Sequence, residues 1–253
     1  MPFSLLSPDE PPAVTELRRD GGSEFVILVD HASRLLPKKL GGLGLPESEL
    51  TRHIAWDIGA LAVAKRVSEA LDAPLVAQNY SRLAIDCNRD PVTEGSIPLI
   101  SEMTPIPGNQ EISPAARQAR IDEIFTPYHH HIASLLDERK RQGRRTILIA
   151  QHSMTDSFKG QRREMQAAVM YNRDGRFAAS LREALGRSGL AVADNQPYAM
   201  TDATDYTLPT HGEKRGLMHV GIEIRQDLVG DEAGVLLWAG LVAEALEKTK
   251  KGF

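Results

Sequence analysis

The sequence is short of cysteine, of positive charge in excess and of uninterrupted apolar runs, and each shortage removes a class of protein. One cysteine, Cys87, in 253 residues allows no internal disulfide framework and suits a reducing compartment, so a cytoplasmic protein is expected. Lys and Arg number 30 against 34 Asp and Glu, a net charge of −4. The basic residues are scattered, so nothing favours a nucleic-acid partner. No stretch approaches the roughly 18 apolar residues that span a bilayer. The opening MPFSLLSPDEPPAV has an acidic pair and several prolines where a signal peptide needs a basic start and an apolar core, so no membrane association is expected. Phosphate-loop and serine-hydrolase signatures are missing too, with no Walker lysine and no G-x-S-x-G elbow. The Gly41-Gly42-Leu43-Gly44 run lacks the spacing and the helix opening of a dinucleotide loop.

What is there fits one large α/β domain over residues 1–253, with 1–22 and 249–253 peripheral. Hydrophobic residues make up 42% and charged residues 25%, enough to bury a sizeable core. Short apolar runs predict strands at Phe25–Asp30, Pro74–Ala77, Leu83–Asp86, Thr146–Ala150, Ala167–Tyr171, Leu190–Ala193 and Met218–Ile224. Helical periodicity covers Ile54–Leu71, Ser113–Gln142, Arg176–Ser188 and Glu232–Lys248. The alternation implies a mostly parallel sheet with helices on both faces. Two Gly- and Pro-rich stretches, Pro37–Glu49 and Pro91–Pro114, are longer than idle loops usually are.

The chemistry gathers where apolar runs end. FVILVD runs into His31, TILIA into Gln151 and His152, and VGIEIRQD carries Glu223 and Arg225. Ligands of open parallel sheets bind beyond the carboxyl ends of the strands, so these side chains are candidates for one site. A histidine after a strand is also a common capping or packing residue. Two in the same topological position give that plainer reading less room. Zinc takes histidine nitrogens and carboxylate oxygens, and Asp57 in HIAWDIGA is the candidate third ligand, with His53 four residues before it on the same expected helix face as the alternative. In YSRLAIDCNRDP an arginine fork at Arg82 or Arg89, helped by the Asn88 amide, matches a carboxylate. Asp86 can orient one of the arginines, and the plainer reading is a buried ion-pair network. Tyr198 and His211 lie in expected loops as candidate substrate contacts. His129, His130 and His131 point three ways from one helix, and Cys87 has no base beside it.

Together, His31-Ala32-Ser33, the Trp56-Asp57 pair, SRLAIDCNRDP, His152-Ser153 and IEIRQDL resemble the N-formylglutamate amidohydrolase family, and SRLxIDxNRDP is the most specific of these motifs. The resemblance spans roughly residues 25 to 230 and extends to the zinc carboxypeptidases and aspartoacylases. It implies a zinc carboxypeptidase-like α/β fold, one zinc ion per chain and a small N-acyl amino acid as substrate. By motif, Arg82 would polarise the scissile carbonyl, Asn88 and Arg89 would hold the substrate carboxylate, and Glu223 would be the general base. Arg225 would meet a side-chain carboxylate, since three arginines suit a substrate with two acid groups. The carboxypeptidase pattern has Glu three residues after its first metal histidine, but Arg34 stands there, so the third ligand beside His31 and His152 comes from elsewhere: Asp57 by position and chemistry, with His53 or a loop glutamate as alternatives. Other expectations keep the fold and change the use: a deacylase or carboxypeptidase acting on another N-acyl amino acid or small peptide, or a non-catalytic domain binding carboxylate or metal.

Overall fold

A computed structural model describes residues 4–253 of the chain. Its strands are β1 Val14–Leu17, β2 Phe25–Val29, β3 Leu75–Gln78, β4 Ile100–Ser101, β5 Thr104–Pro105, β6 Ile147–Met154, β7 Ser157–Phe158, β8 Gln161–Arg162, β9 Ala167–Met170, β10 Val192–Asp194 and β11 Met218–Arg225. Seven of them form one sheet in the order β1-β3-β2-β6-β11-β9-β10. The neighbours β3, β2, β6 and β11 run parallel, as do β9 and β10, while β1 is antiparallel to β3 and β9 is antiparallel to β11. The pairs β4–β5 and β7–β8 are small separate hairpins.

Alternation along each central strand divides the core in two. On β2, Phe25, Ile27 and Val29 face one side with Ile147, Ile149, Val220 and Ile222. Val26 and Leu28 face the other with Leu148 and Ala150. Both faces are covered, so these strands read as continuous apolar runs rather than alternating ones. The helices are α1 Glu47–Leu50, α2 Ala60–Leu71, α3 Pro114–Arg120, α4 Thr126–Arg141, α5 Arg176–Gly186, α6 Thr207–His211 and α7 Glu232–Lys250. The first face is packed by α2, α5 and α7 through Val63, Val67, Phe177, Leu181, Trp238 and Val242. The second is packed by α4 through Tyr128, Ile132 and Leu135. Each such buried side chain contributes about 1.5–3 kcal/mol over leaving it in water. The mixed, mostly parallel sheet between two helical layers is the expected fold class.

Local departures from the expectations have identifiable causes. Leu83–Asp86 is apolar and buried yet is no strand. Ser81 Oγ accepts from Leu83 N (3.2 Å), Ala84 N returns to Ser81 O (2.9 Å), and Asp86 N donates to Ser96 O (2.7 Å). Local turn bonds win over extension there. The helix expected from Ile54 starts at Ala60, because Gly59 precedes it in the left-handed region (φ 81°). A Cβ on Gly59 would meet Val229 O at 2.4 Å, so only glycine fits this turn. His53 and Asp57 therefore lie before the helix and share no helix face. The long helix expected over Ser113–Gln142 is interrupted by a π-helical turn at Ile121–Phe125. TLPTHG holds the short helix α6 rather than a loop. Of the stretch expected to be peripheral, residues 1–3 lie outside the described residues, while Val14–Leu17 is the edge strand and Leu5 is fully buried. The two Gly- and Pro-rich stretches meet in one small apolar cluster, contributing Leu43 and Ile106 beside Ala55 and Leu83.

Candidate active site

Strand register brings the first pair of functional groups together. β6 and β11 are parallel neighbours in which Glu223 pairs with His152, so both side chains rise on one face. β2 runs directly into Asp30 and His31. The turn before α2 delivers Asp57, pinned by its N–H donating to His31 O (3.0 Å). All these groups lie at the carboxyl end of the parallel strands, where such sheets bind ligands.

His31 Nδ1 is 3.3 Å and His152 Nδ1 is 2.9 Å from the same oxygen, Oδ2 of Asp57. One donor atom from each of the three buried residues lies within 4.8 Å of the other two. The far side of each imidazole faces another carboxylate: His31 Nε2 is 2.7 Å from Asp86 Oδ1, and His152 Nε2 is 3.4 Å from Asp30 Oδ2. A proton on each Nε2, directed at that carboxylate, leaves the Nδ1 lone pairs converging on Asp57, the arrangement that orients metal-binding histidines. Two nitrogens and a carboxylate oxygen are a donor set suited to a zinc-class cation. The cluster can therefore hold a metal ion. Asp30 is fixed in turn by the Tyr128 and Thr207 hydroxyls, which donate to its Oδ1 at 2.9 and 2.7 Å.

Burial and carboxylates compete for the charges here. Burial and the Arg82 cation press His31 towards neutrality, but Asp86 and Asp57 outweigh them and its pKa is raised. Burial likewise opposes the charge on His152, and hydrogen bonds to Asp30 and Asp57 raise its pKa well above the usual value. Burial also opposes ionisation of Asp57, yet the two imidazoles hold its carboxyl far below the ordinary range. Glu223 goes the other way: burial leads, the Asp57 charge adds to it, and its pKa is pushed up to about 7. Its Oε2 is buried and, among the described residues, has no hydrogen-bond partner. Arg82 donates from Nη2 to Asp86 Oδ2 (2.7 Å) and lies 3.5 Å from Asp57 Oδ1. Asp86 thus grips a histidine of the cluster and an arginine at once.

A cavity of about 470 Å³ opens over these groups, lined by His31, Asp57, Arg82, His152 and Glu223, with Asn88, Arg89 and Tyr198 also on its wall. Their availability differs. The Asn88 amide is committed: Nδ2 donates to Asp205 Oδ1 (2.9 Å), and Oδ1 accepts from the backbone N–H of Tyr206 and of Thr207 (3.0 Å each). It shapes the wall rather than offering a free donor. Arg89 is anchored by one amino group on Asn88 O and Thr204 O, and among the described residues its remaining donors have no hydrogen-bond partner.

Two expected substrate contacts lie outside the cavity wall. Arg225 is tied to Asp227 (Nε to Oδ1, 2.8 Å) and donates from Nη1 to Arg163 O (2.9 Å). Its place at a strand end is as expected, but the Asp227 carboxylate and the carbonyls of Arg163 and Glu164 take up its donors. His211 is buried on α6 and pairs with His129 Nδ1 at 3.0 Å, while His129 Nε2 bonds Cys87 O at 2.8 Å. Burial lowers the pKa of His129 to about 4 and of His211 to about 3, so both stay neutral. Cys87 is buried, and burial pushes its thiol well above the usual range. His53, the alternative ligand, lines the cavity but stands apart from the three-donor cluster, 3.4 Å from Glu102 Oε2. The sequence reading missed Arg163, Phe158 and Glu102 on the wall, and Asp30 behind it. Asp30 could have been found, since it stands beside His31 at a strand end. Arg163 sits in the polar run QRRE, which carries no pattern.

The model of the N-formylglutamate amidohydrolase family matches residues 23–229. No curated protein matches the chain. Among solved structures, a gene product of Agrobacterium tumefaciens is 35% identical, with 98% of each chain covered and a TM-score of 0.95. The N-formylglutamate amidohydrolase of Ralstonia eutropha JMP134 is 20% identical, with 95% of this chain and 98% of that one covered and a TM-score of 0.73, a likeness of fold. The family match spans all four segments that build the cluster, and the chain belongs to the N-formylglutamate amidohydrolase family, whose members are hydrolases acting on amides.

Proposed function

We propose that the chain is a cytoplasmic, zinc-dependent amidohydrolase that removes a small acyl group, formyl in the first instance, from the nitrogen of an amino acid such as glutamate. One observation carries the reading. A carboxylate oxygen without a hydrogen-bond partner among the described residues, Oε2 of Glu223, stands beside a His-Asp-His cluster in the same cavity.

His31 Nδ1, Asp57 Oδ2 and His152 Nδ1 would hold the cation. When bound, it supplies Lewis acidity, polarising the scissile carbonyl and making water acidic enough to lose a proton near neutral pH. Glu223 takes that proton on its free Oε2 and later delivers it to the leaving amine. Such a general acid–base role is worth about 10²–10⁴-fold. Arg82, locked on Asp86, directs its guanidinium at the oxygen that gains charge in the tetrahedral transition state. A donor of this kind is worth roughly 3–4 kcal/mol. Arg89 receives the α-carboxylate with the donors that Asn88 O and Thr204 O leave free. Asp86 and Asp30 keep both imidazoles in the tautomer that presents Nδ1.

The test is a panel of N-formyl, N-acetyl and longer N-acyl amino acids with zinc-loaded protein, reading release of free amine. The reading expects turnover of N-formylglutamate. Failure to cleave any amide in the panel with a full metal complement would overturn it.

A further inference from the structure

One cation on the cavity wall has no use in the chemistry above. Arg163 follows the β7–β8 hairpin, is 7% exposed and lines the cavity. Its position is fixed from several sides. Nη1 donates to Thr155 O (3.1 Å), and Nη2 bonds the Tyr198 hydroxyl. The guanidinium carbon lies 5.0 Å from the centre of the Tyr198 ring and 5.5 Å from that of Phe158. The two rings stand almost perpendicular, at 89°. The backbone is held as well: Arg163 N donates to Asp156 O (2.8 Å), and its carbonyl accepts from Arg225 Nη1.

What this cradle lacks is an anion. Among the described residues no carboxylate oxygen lies within 4.0 Å of the guanidinium, whereas Arg82 on the same wall has Asp57 and Asp86. Two further buried arginines, Arg120 and Arg139, bond carbonyl and side-chain oxygens and each keep one nitrogen without a partner among the described residues, but neither lines the cavity, so no ligand there can reach them. A desolvated cation held rigidly, with donors to spare and open to a ligand cavity, is incomplete until an anion reaches it. The planar fork suits a carboxylate, which it can pair at both oxygens.

We propose that Arg163 is the specificity residue of this site, receiving the side-chain carboxylate of an N-acylated acidic amino acid, with Tyr198 and Phe158 positioning it. This rests on the amidohydrolase reading, in which Arg89 takes the α-carboxylate. A substrate with a neutral side chain closes the cavity over Arg163 and leaves its charge without water or partner, so the same residue that welcomes the dianion rejects the isostere. Arg225, expected from the sequence to meet that carboxylate itself, acts here through the Arg163 carbonyl.

The experiment compares N-formylglutamate with N-formylglutamine, equal in shape and different in charge, on zinc-loaded wild type, Arg163→Gln, Arg163→Lys and Tyr198→Phe. The wild type should prefer the glutamate derivative. Arg163→Gln should raise its KM by roughly 10- to 100-fold with a smaller change in kcat, leave the glutamine derivative almost untouched and bring the preference close to one. Arg163→Lys, which keeps the charge without the fork, should fall between, and it decides the matter if the glutamine variant folds poorly. Tyr198→Phe should move the preference the same way by less. Equal losses on both substrates, or an unchanged preference, would overturn the assignment. Calorimetric binding of glutarate and butyrate to the same proteins separates the two layers of the argument. If no amide is cleaved, the hydrolase reading fails, yet tighter glutarate binding that disappears in Arg163→Gln still upholds the anion site. Equal binding of glutarate and butyrate to the wild type would sink it.

Discussion

Replacing Asp86 with Asn probes the joint on which the site depends. Asp86 is 3% exposed. Its Oδ1 accepts from His31 Nε2 (2.7 Å) and from Asn88 N (2.9 Å), and its Oδ2 accepts from Arg82 Nη2 (2.7 Å). Asparagine keeps one oxygen. If that oxygen stays with His31 and Asn88, the new amide group points its hydrogens at a guanidinium that can only donate. The change removes a charge-assisted bond and leaves Arg82 with Asp57 alone, at 3.5 Å. Breaking a buried pair from one side costs about 3–5 kcal/mol. The remaining Asp57 contact argues for the lower end, about 3 kcal/mol, or roughly 6–12 °C in Tm for a chain of this size. Loss of the carboxylate behind His31 should also weaken metal binding by about 10- to 100-fold. The pH dependence has a definite sign. Burial raises the Asp86 carboxyl, and Arg82 and His31 overcome it and hold the group well below 3.8. A depressed acid stabilises the fold at every pH above its unfolded value and loses that contribution as pH falls through the folded one. The gap between wild type and Asp86→Asn should therefore hold from about pH 5 to 8 and narrow only below about pH 4. Denaturant titrations of chelator-treated protein measure the gap, and competition with a chromophoric chelator measures the affinity. A variant as stable as the wild type that binds zinc as tightly would refute the reasoning.

The other predictions concern the groups proposed to act on the substrate. Glu223→Gln should keep its metal and lose two orders of magnitude or more in kcat, read by elemental analysis beside single-turnover rates. In metal-free protein the raised pKa of Glu223, about 7 against an ordinary 4.5, makes the folded state hold more protons than the unfolded one between those values. Wild-type stability should then fall across that window as pH rises. Glu223→Gln should lack that component, proving the more stable at pH 8, with the gap closing below about pH 4.5 in thermal melts. Arg82→Lys should lower kcat with little change in KM, because its interaction strengthens in the transition state, whereas Arg89→Lys should act mainly on KM. Steady-state kinetics on N-formylglutamate distinguishes the two, and a shared drop in Tm with normal kinetics would make both arginines structural.

Much of this was legible because the central strands carry both signals at once. FVILV and ILIA are apolar throughout, as strands covered on both faces must be, and each runs into a histidine where a parallel sheet opens to ligands. Glu223 was legible for the same reason, and its register against His152 is a property of pairing that no single strand reveals. Asp57 was found by chemistry but for the wrong local reason. The helix it was assigned to begins three residues later, and Gly59 bends the chain so that the carboxylate reaches both imidazoles. LAID imitated a strand, since burial alone makes a segment apolar and turn bonds from Ser81 and Asp86 fixed its shape. VTEL at the sheet edge is half-buried along its whole length and shows neither a run nor an alternation. Arg225 and Arg163 differ in how visible they are from sequence, and it is Arg163 that lines the cavity. A charged residue at a strand end is visible in sequence, whereas an arginine cradled by two aromatic rings from separate segments becomes visible only when Phe158 and Tyr198 meet around it. Among the described residues no helix is long and apolar enough to cross a membrane, in keeping with the absence of long apolar runs.

The central claim is that His31, Asp57 and His152 hold one catalytic zinc-class ion for amide hydrolysis. It is tested most directly by following N-formylglutamate cleavage and metal content together during chelation and reloading of the wild-type protein, with His152→Ala carried through the same cycle. The account predicts about one metal ion per wild-type chain, hydrolysis that falls in proportion as the ion is removed and returns with zinc, and little metal or turnover in His152→Ala. Hydrolysis that continues undiminished in fully metal-free protein, or full metal occupancy in His152→Ala, would contradict it.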